Sequence, residues 1–150
     1  MKIAIGSDNA GYLYKEEIKK VLEKENYNVI DLGPNDDSQV DYPDYAYQVS
    51  KMVQKEENTL GILICGTGIG MCIASNKVKG VRAALVTSEF QAQMSKEHNN
   101  SNILCLGARV TPLEDALRFV KIWLGTEYKF VERHSRRIDE ISRIEEKEYE

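Results

Sequence analysis

Leu60–Cys65, written LGILIC, runs straight into Cys65-Gly66-Thr67-Gly68-Ile69-Gly70, and this junction decides the fold. The residues before the turn are apolar on both faces of a strand. Such a strand suits the middle of a parallel sheet covered by helices on both sides, whereas a half-solvated strand would alternate apolar and polar. Gly68–Lys77 beyond it reads as a helix. Strand, glycine-rich turn and helix in that order form one unit of an α/β protein.

The rest of the chain repeats the unit. Lys2–Ser7 (KIAIGS) reads as the first strand, and Gly11–Glu25 as a helix with Ile18, Val21 and Leu22 at helical spacing. Asn28–Leu32 is the second strand, closed by Gly33-Pro34. Asn35–Pro43 is a polar loop rich in turn formers. Asp44 is placed to cap a helix reaching Lys55, with Tyr45, Val49, Met52 and Val53 on one side. Downstream come a strand over Gly80–Val86, a helix over Ser88–His98 capped by Ser88, a fifth strand over Ile103–Leu106, and a helix over Pro112–Trp123 with proline near its first turn. The alternation predicts one domain over residues 1–150 built on a doubly wound, parallel, five-stranded sheet with right-handed crossovers. Arg133–Glu150 differs. It is strongly charged, yet Ile138, Ile141 and Ile144 recur every third residue, which predicts a C-terminal helical tail. Its apolar stripe needs a surface, on its own domain or on a partner subunit.

Composition narrows the function. The 150 residues suit one core, 42% of them are hydrophobic and 29% charged. A net charge of −4 leaves no basic surplus for nucleic acid or anionic lipid. No apolar run approaches the roughly 20 residues of a membrane helix. Met1 enters a strand-like run at once rather than a leader, so the cytoplasm is the expected compartment. The three cysteines, Cys65, Cys72 and Cys105, are odd in number and lie in apolar runs, without a C-x-x-C pair or a histidine cluster. Neither a disulfide framework nor a metal site is expected. Cys72 and Cys105 read as small buried hydrophobes.

Cys65 needs separate treatment. In open α/β sheets, ligands bind beyond the carboxyl ends of the strands. Glycines there let backbone N–H groups converge into a cradle for an oxyanion or a phosphate. The spacing G-x-G-x-G is not the dinucleotide fingerprint, which also opens a fold rather than following its third strand, although Glu89 stands where a ribose-binding acid would. The lack of Gly-Lys-Ser/Thr removes a nucleoside triphosphate loop. What is left is an oxyanion site for a small substrate with a thiol beside it. Thiols at helix N-termini ionise readily and serve as nucleophile or base. A nucleophile of the cysteine-protease kind needs a histidine partner and an acyl substrate. A base for carbon acids needs an oxyanion hole that holds an enediolate. The local residues leave both open, and a non-catalytic nucleotide-binding module stands behind them as a weaker reading.

Several motifs then fall in one order along the chain: Gly6-Ser7-Asp8 with Gly11, Asp41-Tyr42-Pro43, Gly61–Gly70 (GILICGTGIG), Ala74-Ser75-Asn76-Lys77, Gly80-Val81-Arg82-Ala83, Glu97-His98-Asn99 with Asn102, Gly107-Ala108-Arg109-Val110, and Arg133-His134 with Arg137. Together they closely resemble ribose-5-phosphate isomerase B, from Lys2 to about Glu145. The resemblance implies a Rossmann-like fold, no cofactor and no metal, and an active site formed between the subunits of a homodimer or a pair of dimers. It implies interconversion of ribose 5-phosphate and ribulose 5-phosphate through an enediolate. It makes Cys65 the base between C1 and C2, and Gly66, Thr67, Gly68, Ile69 and Gly70 the enediolate cradle, with Thr67 also handling a proton. It gives ring opening to His98 with Asp8, substrate contacts to Asn9, Asn99 and Arg109, and the phosphate to Arg133 and Arg137.

Elementary chemistry agrees with those roles. His98 ends a predicted helix, where the carbonyl end favours a cation. Arg133 and Arg137, four apart, share a helix face and can clamp one phosphate. Two departures stand out. Asn9 follows Asp8 where the family usually has histidine; asparagine hydrogen-bonds but carries no charge, and a lost charge-assisted bond is worth about 1–3 kcal/mol. This motivates a second reading, an isomerase of allose 6-phosphate or galactose 6-phosphate. Phe130-Val131-Glu132 stands where two glycines often precede the Arg-His pair.

Overall fold

The computed structural model describes residues 1–149, with the backbone alone at Tyr149. Five parallel strands form one sheet in the order β2-β1-β3-β5-β4: β1 (Lys2–Ser7), β2 (Asn28–Asp31), β3 (Thr59–Cys65), β4 (Ala83–Leu85) and β5 (Ile103–Gly107). The helices are α1 (Tyr12–Lys24), α2 (Tyr42–Lys55), α3 (Ile69–Ser75), α4 (Glu89–Glu97), α5 (Leu113–Gly125) and α6 (Glu132–Tyr149). The doubly wound parallel α/β fold is as expected.

Strand alternation divides the core. Ile62 and Ile64 of β3 join Ile18 and Leu22 of α1 and Phe119 and Trp123 of α5 on one face. Leu63 and Cys65 point the other way, among Val49 and Val53 of α2 and Met71 of α3. Each fully buried aliphatic or aromatic side chain contributes about 1.5–3 kcal/mol, so β3, buried on both faces, anchors the sheet. The chain turns left from β1 to β2 and right from β1 to β3. The crevice between β1 and β3 is therefore a topological switch point, and Asp8 and the Cys65 turn flank it.

Two local expectations shift. The cap of α2 is Asp41, not Asp44, and Pro43 lies inside the first turn, where its missing N–H costs no helical bond. Strand β4 shrinks to Ala83–Leu85 because Arg82 and Gly80 are claimed by Asn102, whose Oδ1 accepts from the Arg82 N–H at 2.7 Å and whose Nδ2 donates to the Gly80 carbonyl at 2.9 Å. On α1, Lys15 is fully buried beside Ile18, where its ammonium meets Asp31 at 2.8 Å. The cap at Ser88 forms as expected, its Oγ accepting from the Gln91 N–H at 3.1 Å.

Helix α6 folds back on its own chain. Its Glu145 accepts from the Gly80 N–H at 2.8 Å, and its buried His134 stacks on His98 with ring centroids 4.4 Å apart. Ile141 and Ile144 stay 50% and 65% exposed. The last residue of the expected tail, Glu150, lies outside the described residues.

Ser50 of α2 is fully buried, and its hydroxyl has no hydrogen-bond partner among the described residues. A buried hydroxyl without a partner has lost its water and gained nothing. Ser50→Ala is therefore expected to leave stability unchanged or raise it by up to about 1 kcal/mol. Urea denaturation measures this, and a loss above that size contradicts it.

Candidate active site

Cys65 closes β3 with 5% of its surface exposed. The Gly68 N–H donates to its sulfur at 3.1 Å. The turn has this shape because Gly68 takes φ 78°, a left-handed conformation, and a β-carbon there would stand 2.9 Å from the Leu106 carbonyl carbon. At the end of β5, a β-carbon on Gly107 would meet the Thr67 backbone at 2.6 Å, so only glycine lets the two loops touch. The Thr67 hydroxyl accepts from the Ile69 N–H at 3.2 Å, and Thr67 and Ile69 are exposed. Gly66, Thr67, Gly68, Ile69 and Gly70 thus present a short run of backbone amides beside a thiol.

Neighbouring loops complete this edge. The Asp8 carboxylate follows β1 and accepts from the Gly11 N–H at 3.0 Å, while Asn9 enters the same turn. Arg109 follows β5; its N–H donates to the Gly66 carbonyl at 2.9 Å and its side chain lies over Gly66. Tyr42, at the start of α2, lies with its ring against Gly70, where a β-carbon would come within 2.6 Å of the ring carbons.

The remaining expected residues gather elsewhere. His98 ends α4, and Asn99 lies in the loop that leads into β5. That loop is pinned by Trp123 Nε1–H donating to Ser101 Oγ at 2.8 Å and by Ser101 Oγ–H donating to Ser95 Oγ at 3.0 Å. Glu97 pairs with Lys129 at 2.8 Å. Arg133 and Arg137 flank His134 on α6. Burial first, then the neighbouring His98, Arg133 and Arg137, hold the His134 imidazole below its usual pKa. Arg136 pairs with Glu132 and Glu140, but among the described residues Arg133, Arg137 and Arg109 make no ion pair.

The two groups occupy opposite ends of the sheet. Cys65, Asp8, Asn9 and Arg109 stand past the carboxyl ends of β3, β1 and β5. His98, Asn99 and the first turns of α6 stand before the amino end of β5. Strands of five to seven residues rise about 3.3 Å per residue, which puts the groups roughly 20 Å apart in one chain. His98 and Asp8 therefore do not meet within a subunit. Sequence reading passed over Tyr42 and His134. Both lie in motifs that were noticed, but their contacts with Gly70 and His98 join residues far apart in the chain.

Among the described residues, no three His, Cys, Asp or Glu side chains converge to hold a metal ion. Among the described residues, no helix is long and apolar enough to cross a membrane.

The fold and the turn define a parallel α/β protein that carries a thiol and an amide cradle at the carboxyl edge of its sheet. The chain belongs to the Ribose/Galactose Isomerase family, which it matches over residues 3–141. It is 43% identical over 146 residues to ribose-5-phosphate isomerase B of Escherichia coli, covering 97% of each chain. Its structure is similar to that of Clostridium thermocellum ribose-5-phosphate isomerase B, with a TM-score of 0.96 and 49% identity over 100% of both chains. It is also similar to the Mycoplasma genitalium enzyme solved with ribulose 5-phosphate bound, with a TM-score of 0.91 and 45% identity over 97% of this chain and 96% of that one.

Proposed function

We propose that this chain interconverts D-ribose 5-phosphate and D-ribulose 5-phosphate through a cis-enediolate, with Cys65 as the base. The observation that carries the reading is the Cys65 sulfur at the end of β3, facing the Gly68 amide at 3.1 Å at the head of a glycine-rich turn. A carbon acid needs that pair: a base at the carbon, and donors where charge develops on oxygen.

The steps follow from the groups present. His98 gives a proton to the ring oxygen while Asp8 accepts the anomeric hydroxyl proton, which opens the sugar. The Cys65 thiolate removes the proton at C2, and the electrons move through C1 to its oxygen. The amides of Gly66–Gly70 hold the enediolate. Thr67 passes the O2 proton towards O1, and Cys65 returns its proton to C1. Asn9, Asn99 and Arg109 hold hydroxyls, and Arg133 and Arg137 clamp the phosphate.

These groups join only if a second copy takes part. A homodimer that sets the carboxyl edge of one subunit against the amino edge of the other completes two equivalent sites. Exposed Ile69 and Ile73 on α3, and the half-exposed stripe of α6, support contact at both edges. Free thiols at Cys65, Cys72 and Cys105 suit a reducing compartment, and we place the enzyme in the cytoplasm.

The test is a substrate panel. Ribose 5-phosphate is expected to exceed allose 6-phosphate and galactose 6-phosphate in kcat/KM by at least about tenfold, a difference of about 1.4 kcal/mol in transition-state binding. A tenfold preference for a hexose would overturn the assignment and give Asn9 the deciding role. The phosphate clamp has its own expectation. Each charge-assisted bond is worth about 1.5–3 kcal/mol, so Arg133→Ala with Arg137→Ala should lower kcat/KM roughly hundredfold or more, mostly through KM. An unchanged KM contradicts the clamp.

A further inference from the structure

His134 has no task in the chemistry above, yet it is the better anchored of the two imidazoles. It stands in the first turn of α6 with 6% of its surface exposed, and its N–H donates to the Val131 carbonyl at 3.0 Å. Its ring stacks on that of His98, with centroids 4.4 Å apart and planes inclined by 18°. Around the stack, the chain entering α6 is tied to the end of α4. The Lys129 N–H donates to the Glu97 carbonyl at 3.1 Å, and the Lys129 ammonium pairs with the Glu97 carboxylate at 2.8 Å. The Tyr128 and Ser135 hydroxyls share a hydrogen bond at 2.9 Å across the entry to the helix.

His98 is the opposite case. Its side chain is 41% exposed, and its Nε2 lies 3.9 Å from Glu97 Oε1, too far for a hydrogen bond. That carboxylate is already engaged by Lys129 and by Gln93 Nε2, which donates to it at 3.2 Å. A side chain so exposed samples several rotamers unless a neighbour restricts it. The neighbour here is the face of the buried His134 ring.

We propose that His134 is the positioning residue for His98, holding its imidazole at a fixed place relative to the phosphate clamp of Arg133 and Arg137, a role that rests on the isomerase reading above. The substrate explains the arrangement. The ring oxygen of ribose 5-phosphate is bonded to C4, and the phosphate hangs from C5, the next carbon. An acid for the ring oxygen must therefore stand beside the phosphate grip. His134 lies between the two arginines in the chain, so one stretch of helix carries both the grip and the floor under His98. A misplacement of about 1 Å between such groups lowers a rate roughly 10²-fold.

Ribulose 5-phosphate separates this role from general damage to the site. Its phosphate occupies O5, the oxygen that a five-membered ring would need, so the ketose is an open chain. Cys65 can take a proton from its C1 without any ring-opening step. In heavy water, entry of deuterium at C1 of ribulose 5-phosphate, followed by NMR, reports proton removal alone. Turnover of ribose 5-phosphate requires ring opening as well.

His134→Leu and His134→Gln fill the space without a ring face. Each should lower kcat for ribose 5-phosphate roughly hundredfold while deuterium entry stays within about threefold of the unmodified rate. His134→Phe restores a face and should hold kcat for ribose 5-phosphate within about tenfold. Equal loss of both rates in the leucine and glutamine variants, or a phenylalanine variant as slow on ribose 5-phosphate as they are, overturns the proposal. The two levels of the account fail differently. If the unmodified protein acts on neither sugar, the isomerase reading fails; if it acts on both and the variants lose both rates alike, the positioning role alone fails.

Discussion

Replacing Cys65 with alanine is expected to lower kcat about 10³-fold or more while ribose 5-phosphate still binds. The expectation rests on the division of labour in the site. In the proposed mechanism the sulfur touches only the proton in flight, whereas binding is spread over the Gly66–Gly70 amides, Arg109 and the two arginines of α6. The side chain is small and lies at the end of β3 rather than at its centre, so its loss leaves the strand's core contacts at Ile62, Leu63 and Ile64 in place. Steady-state kinetics and titration with ribose 5-phosphate separate the two quantities: kcat falls and the dissociation constant changes by less than about tenfold. Cys65→Ser keeps the shape and replaces a thiol with an alcohol, a far weaker acid, so it should fall nearly as far. Turnover near the original rate in either variant removes Cys65 from the role of base.

Much of this molecule is readable from its residues, and the unreadable part has a physical pattern. Strand β1 lies where KIAIGS places it, and β3 is apolar on both faces because it is covered on both faces. Ser88 caps α4 because a hydroxyl three residues before a free N–H can do little else. These are local effects, written in contiguous residues. The misses are non-local. Nothing in the sequence marks Lys15 for burial beside Asp31 of the next strand. Strand β4 looks long until Asn102, some 20 residues on, takes its first backbone groups. The order of β4 and β5 at the sheet edge follows from where α4 crosses, and no short motif specifies it.

The site divides in the same way. The Cys65 turn is contiguous, so its thiol and amides can be identified from spacing alone. That His98 and the α6 arginines lie at the far end of the sheet follows from counting crossovers, since helix α4 starts past the carboxyl end of β4 and returns the chain to the amino end of β5. Neither the Tyr42 contact with Gly70 nor the stacking of His134 on His98 has any trace in sequence spacing, because each joins elements that only the folded sheet brings together.

The separation of the two half-sites makes the central claim directly measurable. Cys65→Ala removes the proposed base at the carboxyl edge, and Arg133→Ala with Arg137→Ala removes the proposed phosphate clamp at the amino edge. Each protein alone should be nearly inactive as a homodimer. If the site is shared, equal amounts of the two, unfolded together and refolded or co-expressed, form mixed dimers as about half of the population. Each mixed dimer carries one doubly damaged site and one intact site, so about a quarter of the original activity should return. Separate tags on the two variants allow the mixed dimer to be isolated and assayed, and its specific activity should then be about half that of the unmodified enzyme. A mixed dimer no more active than its parents would contradict a site that takes Cys65 from one subunit and Arg133 and Arg137 from the other.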